Sequence, residues 1–260
     1  MKTGNFPDAD HGEDWFDEHY PRHEKHVFEK MQYGSYPEPE FEKDRWLVVG
    51  KGNWGSARPD NCCVYAADMV FTDHLGLMML CQQSRSIVGK KPDGEEAEPR
   101  FIKGSEVFSH MNKVAKAYAT RVSYNIGIGG WHGIWLFKRK GEGYKELDVE
   151  HIYDSKKKGT ELTFSAHSSK GGNRTMFSTT LDVGDLLRED LHITFVRDKG
   201  KQKIYLNGIK VFQTRHGYHT EPLEMVYTLS TSTFNGKLNE ADVKEALPNS
   251  MAVDYLLTHG

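Results

Sequence analysis

At 260 residues the chain has the length of one large domain, and 34 Lys and Arg against 37 Asp and Glu leave a formal net charge of −3. The basic residues are spread along the chain, which argues against a nucleic-acid partner, since that affinity rests on clustered positive charge. No apolar run approaches the roughly 20 residues needed to cross a bilayer, so membrane insertion is not expected.

The N-terminal stretch MKTGNFPDADHGEDWF contains no apolar h-region, and no secretory signal is visible in it. Residues 1–40 read as an arm on a domain spanning residues 41–260. The arm carries His11, His19, His23 and His26 among many acids, then the proline-spaced YPEPEFE. A solvated arm is the preferred reading over a metal site, and Trp15, Phe16, Tyr20 and Phe28 predict that it docks.

From Arg45 onward short apolar segments are broken by Gly, Pro, Asn and Asp. Strands are predicted at Trp46–Val49, Leu75–Leu80 and Tyr118–Ile128, with a short buried one at Ile134–Phe137. Further strands follow at Lys145–Tyr153, Leu162–Ala166, Thr175–Leu181 and Leu191–Arg197. Lys203–Leu206 and Lys210–Gln213 flank Asn207-Gly208, the dipeptide most diagnostic of a tight hairpin. Met225–Ser230 and Met251–Leu257 close the series. Helices are predicted at 105–116 and at Asn239–Ala246, which an acid-rich first turn starts and Pro248 stops. Many strands with little helix predict an all-β sandwich of two sheets. The cysteines Cys62, Cys63 and Cys81, odd in number with an adjacent pair, form no disulfide framework and read as core thiols.

The stretch Lys145-Glu146-Leu147-Asp148-Val149-Glu150-His151 is the most informative. In a strand, Glu146, Asp148 and Glu150 share one face while Leu147 and Val149 share the other. A solvated amphipathic strand is the plain reading, but like charges on one face repel and acids are depleted in strands. Three crowded carboxyls suit chemistry instead, because crowding pushes a carboxyl pKa upward and lets one stay an acid near neutral pH. Trp131 and Trp135 precede the acids in GGWHGIWLF, and Trp54 lies in GKGNWGS. Indole faces of this kind stack on sugar rings. Trp135, in an apolar run, reads equally well as a core residue.

Glu146-Leu147-Asp148-Val149-Glu150 resembles the Glu-x-Asp-x-Glu signature of glycoside hydrolase family 16, in the form without an extra bulge residue. The flanks resemble it in order. Tyr118-Ala119-Thr120-Arg121 is similar to a "YGRFEARIK" strand, and Gly133-Ile134-Trp135-Leu136 to the family's Pro-Ala-Phe-Trp-Leu segment. Leu191–Phe195 with Ile204–Gly208 resembles "HTYAIEW…FYVDG", and Met251–Tyr255 resembles "MLVDYVRVY". The similarity spans roughly residues 45–260. It departs at Phe195, where the family usually has Trp, and before Trp135, where Pro-Ala-Phe is absent.

The resemblance implies a concanavalin-like β-jelly roll of two antiparallel sheets with a concave substrate groove. Glu146 would be the nucleophile, Asp148 the assisting acid and Glu150 the general acid/base of a retaining endo-glycosidase. Trp54, Trp131, Trp135 and His167 would bind substrate, and Asp254 would be the candidate ligand of a structural calcium. No cofactor is expected for catalysis. The expected partner is a β-linked polysaccharide, β-glucan-type favoured, met outside the cell or at its surface by a monomeric protein. The alternative is a non-catalytic carbohydrate-binding protein, or one docking a virion or cell surface on glycans, on the same fold. A lectin has no use for three crowded acids, which favours the enzyme.

Overall fold

The computed structural model describes residues 6–28, 31–34, 46–49, 63–87, 100–109, 114–125, 127, 130–140, 143–153, 159–170, 173–218, 220–231 and 249–260. Trp54, Cys62 and the helix expected at 239–246 lie outside the described residues. The helix α1 (Ala9–His19) is followed by strands β1 (Glu24–His26), β2 (Met31–Gly34), β3 (Trp46–Val49), β4 (Cys63–Tyr65), β5 (Val70–Thr72) and β6 (Met78–Ile87). Then come β7 (Arg100–Ser109), β8 (Ala117–Asn125), β9 (Gly130–Lys140), β10 (Gly143–Ile152), β11 (Glu161–Lys170) and β12 (Asn173–Asp182). The chain ends with β13 (Leu191–Asp198), β14 (Lys201–Leu206), β15 (Ile209–Thr214), β16 (Glu224–Thr231) and β17 (Asn249–His259).

Two sheets result. The first runs β5-β6-β17-β8-β13-β14-β15, antiparallel throughout, and β1 pairs with β17 beyond the end of β6. The second runs β2-β3-β7-β16-β9-β10-β11-β12, antiparallel except for β2 beside β3. The far half of β6 pairs with the start of β7, which joins the sheets at one corner, and β4 lies parallel to β7 there. Between the sheets, alternate residues of nearly every strand form one core, including Val107, Tyr118, Ile134, Leu147, Val149, Phe164, Phe195 and Tyr227. Period-two alternation puts the partners of these residues on the outer faces.

Three sequence expectations are corrected. Residues 105–109 belong to strand β7 rather than to a helix over 105–116. Val107, Met111, Val114 and Ala115 have helical spacing, but Gly104 to Ser109 are buried on both faces, so their hydrophobicity carries no strand period. The strand expected from Leu75 starts at Met78. Asp73 Oδ1 accepts from Leu75 N and Leu77 N, both at 2.9 Å, and holds residues 73–77 in a turn. The short strand at Ile134–Phe137 extends over eleven residues as β9. Cys81 is a free thiol, half-buried, with its pKa raised by burial.

The arm joins the sandwich. Phe16 on α1 is fully buried against Ala117, Ala119, Val196, Tyr255 and Leu257 on the outer face of the first sheet. A bulge makes that face continuous: Met251 and Val253 point into the core, the register slips around Asp254, and Tyr255 and Leu257 then point outward under α1. Asn207 and Gly208, both at positive φ, make the expected tight turn between β14 and β15. Asn207 accepts from His192 N and donates to Pro7 O, each at 2.7 Å, tying the turn to the start of the arm. Phe28 enters the main core at 2 % exposure and packs on Trp46 with ring centroids 4.7 Å apart. Phe28→Ala is expected to cost roughly 3–5 kcal/mol of unfolding free energy, read as a lowered urea midpoint.

Candidate active site

Strand β10 divides as its alternation requires. Leu147, Val149 and His151 are buried toward the core, while Glu146, Asp148 and Glu150 lie on the outer face of the second sheet. Inter-strand register extends this face into rows. Glu146 stands between Phe137 of β9 and His167 of β11, and Asp148 between Trp135 and Ser165. Glu150 stands between Gly133 and Thr163. Helix α1 covers the other sheet and contributes nothing to this face.

Asp148 is the buried member, 4 % exposed. Its Oδ2 accepts from Ser165 Oγ at 3.0 Å and lies 3.0 Å from His167 Nε2. Ser165 Oγ and His167 Nε2 are themselves 3.0 Å apart, which closes a triangle. Asp148 Oδ1 is buried without a hydrogen-bond partner among the described residues. Burial, then the Glu150 charge, pushes the Asp148 carboxyl well above the usual carboxylate range, against Ser165 and Arg174, which favour its ionised form. Burial lowers the His167 pKa, with Arg174 acting the same way and Glu146 and Glu150 opposing. Both shifts disfavour an ion pair between His167 and Asp148 and favour a neutral hydrogen-bonded contact.

One ligating atom from each of Glu146, Asp148 and His167 lies within 4.8 Å of the others, which is close enough to hold a cation. His167 Nδ1, however, faces Arg174 Nη2 at 3.0 Å. An arginine can only donate, so Nδ1 keeps its lone pair and Nε2 carries the hydrogen where a metal would need an open lone pair. Asp254, expected as a calcium ligand, is the exposed extra residue of the β17 bulge. Among the described residues it belongs to no cluster of three ligating side chains, whereas calcium takes about 6–8 oxygens. A calcium there would draw its other oxygens from backbone, water or residues outside the described set.

The tryptophans separate. Trp131 is buried and Trp135 half-buried, stacked with centroids 5.9 Å apart at 13°. Gly133 between them is what permits the stack: a Cβ there would lie 2.7 Å from the Trp135 ring and 3.3 Å from that of Trp131. Trp135 and Phe137 continue into an apolar patch of Leu47, Val49, Tyr65, Phe108 and Val226, so one side of the acid row is greasy. Ser165 and Arg174 were not singled out from the sequence. Serine two residues before His167 shares its face, and that spacing was the available signal.

On the core side, His151 Nε2 donates to Gly159 O at 3.2 Å, and its Nδ1 lies 3.2 Å from Nδ1 of buried His132. Burial lowers His132 well below the ordinary range, lowers His151 to about 4 and lowers His192, beneath α1, to about 3. The unfolded chain binds these protons first, so each histidine removes stability as pH falls below about 6.5. Asp148 and Glu224, both raised by burial, act with the opposite sign over the same window. With His167, four lowered histidines stand against two raised carboxyls, so a net loss of stability is expected as pH falls below about 6.5. Urea melts at pH 7 and pH 5 check this, and equal midpoints would contradict it.

Neither a protein-family model nor a curated protein sequence matches the chain. Solved structures do. A Bacillus licheniformis β-glucanase superposes with a TM-score of 0.64 at 13 % identity, covering 92 % of this chain and 98 % of its own. The κ-carrageenase of Pseudoalteromonas carrageenovora, solved with an oligotetrasaccharide of κ-carrageenan, gives 0.61 at 14 % identity over 85 % and 98 %. A structure from work on endo-acting O-glycanases that initiate mucin breakdown in the human gut microbiota gives 0.67 at 14 % identity over 82 % and 84 %. The chain thus has the β-jelly-roll fold that carries these glycanases.

Proposed function

We propose that this protein is a retaining, endo-acting glycoside hydrolase of family 16 that cleaves a β-linked polysaccharide, of β-glucan type, by double displacement. The observation that carries the reading is the row Glu146, Asp148 and Glu150 on the outer face of a sheet, in a fold shared with glucan- and galactan-cleaving enzymes. In the first step Glu146 attacks the anomeric carbon while Glu150 gives its proton to the leaving oxygen, forming a glycosyl ester on Glu146. In the second, Glu150 takes a proton from water, which attacks the same carbon and releases Glu146. Both steps run at one carbon with inversion, so the configuration is retained overall. Asp148 sits between the two and exchanges charge with both. No cofactor enters either step.

The Cα atoms of Glu146 and Glu150 are roughly 13 Å apart along a strand, and side chains leaning toward each other approach the ~5–5.5 Å of retaining enzymes. Trp135 offers an indole face beside Asp148, and Trp54 and Trp131 are the remaining aromatic candidates for sugar contact. The protein would act as a monomer on an extracellular or surface glycan. A screen of the full chain against β-glucans, xyloglucan, galactans and bacterial capsules, with product sizing, tests this. Mid-chain cuts giving a ladder of oligosaccharides are expected. Binding without any cleavage across the panel would make the protein a glycan-binding module instead.

A further inference from the structure

We infer that Arg174 is a positioning residue: through His167 it fixes which atom of Asp148 can carry a proton. As a role in the reaction this rests on the function proposed above; as a statement about protonation it does not. Arg174 lies on β12 and reaches across to His167 on β11, where Nη2 sits 3.0 Å from Nδ1. A guanidinium has five donors and no acceptor, so Nδ1 must accept. A neutral imidazole then holds its one hydrogen on Nε2.

That hydrogen has two acceptors within reach, Asp148 Oδ2 and Ser165 Oγ, each at 3.0 Å. Ser165 also donates to Asp148 Oδ2. Oδ2 is thereby surrounded by donors and cannot itself be the protonated oxygen. A proton on Asp148 resides on Oδ1, the atom with no hydrogen-bond partner among the described residues. Oδ1 belongs to the residue flanked on the same face by Glu146 and Glu150. The proton is therefore kept on the one oxygen of the central acid that none of these donors occupies.

The ring is also kept neutral electrostatically. Among the described residues, the acids around it are Glu146, Asp148 and Glu150 from β10, and the cation acting on it is Arg174 from β12. Glu146 and Glu150 favour imidazolium, and Arg174 opposes them. Without Arg174, Nδ1 loses its donor and only burial is left to oppose the pull of Glu146 and Glu150 on the ring.

Long-range ¹H–¹⁵N spectra of the full chain with labelled histidine read this directly, with His167→Gln assigning the signal. The wild type should show the Nε2–H tautomer through neutral pH. Arg174→Met should change it to Nδ1–H or to imidazolium, with the ring titrating at higher pH. Arg174→Lys, which restores a donor, should return the tautomer. Nδ1–H in the wild type, or an unchanged ring in Arg174→Met, overturns the inference whether or not a substrate is known. On a cleaved substrate, Arg174→Met should move the acid limb of the kcat profile upward in pH with KM little changed. A fall in KM-controlled rate alone, with the profile fixed, would also overturn it. Melting curves separate any folding defect, and absence of cleavage in the wild type bears only on the proposed function.

Discussion

Glu146→Ala is expected to lower turnover on a cleaved polysaccharide by about 10⁴-fold or more, because it removes the carboxylate that forms the glycosyl ester. The substitution leaves a hole where the carboxylate stood, open to a small anion. Azide at high concentration should restore turnover and give a glycosyl azide of configuration opposite to the substrate, since one displacement then replaces two. In the wild type, NMR of the first-formed sugar should show the configuration retained. An inverted first product, or near-normal turnover by Glu146→Ala, would remove the nucleophile assignment and return the strand to a solvated acidic face.

Glu150→Ala should show the second-largest loss, and the loss should depend on the leaving group. Proton transfer contributes about 10²–10⁴-fold, so natural polysaccharide should suffer by that factor. Aryl glycosides with acidic phenols need little protonation, so their first step should run at close to the wild-type rate. The ester then waits for a base to activate water, and a burst of phenol followed by slow turnover is the expected trace. Azide should speed the slow phase and yield a product of retained configuration, opposite to that from Glu146→Ala. Equal losses on good and poor leaving groups would deny Glu150 the proton-transfer role.

Much of this was legible because β10 has one wet and one dry face. Leu147 and Val149 alternating with three acids gives the strand its period, and Asn207-Gly208 marks its hairpin by local backbone chemistry alone. β7 was illegible for the opposite reason. Val107 packs into the main core and Phe108 into the outer patch, with Ser105, Glu106 and Ser109 buried among them, so both faces are buried and mixed, and helical spacing appears by accident. The bulge at Asp254 was illegible as well, because a slip of one residue leaves no mark on the alternation of Met251, Val253 and Tyr255. The Asp148–Ser165–His167–Arg174 chain crosses three strands, and its hydrogen bonds depend on registers that only the paired sheet sets. The apposed His132 and His151 rings are likewise brought together by the pairing of β9 and β10.

The placement of β17 has a consequence for how the protein is made. The last strand lies inside the first sheet, bonded to β8 along one edge and to β6 and β1 along the other. At about 5–20 residues per second, a ribosome needs roughly 10–45 s between β1 and the strand that β1 pairs with. From the synthesis of β8 until β17 emerges, β6 and β8 present open edges with an empty slot between them, the condition in which sheets pair with the wrong neighbour. Closure must therefore follow emergence of β17, and the long-range pairing makes the step itself slow. Loss of the last dozen residues would take out the middle of a sheet rather than trim its border, so yield of folded protein should depend on that end of the chain more than on the loops around the acids.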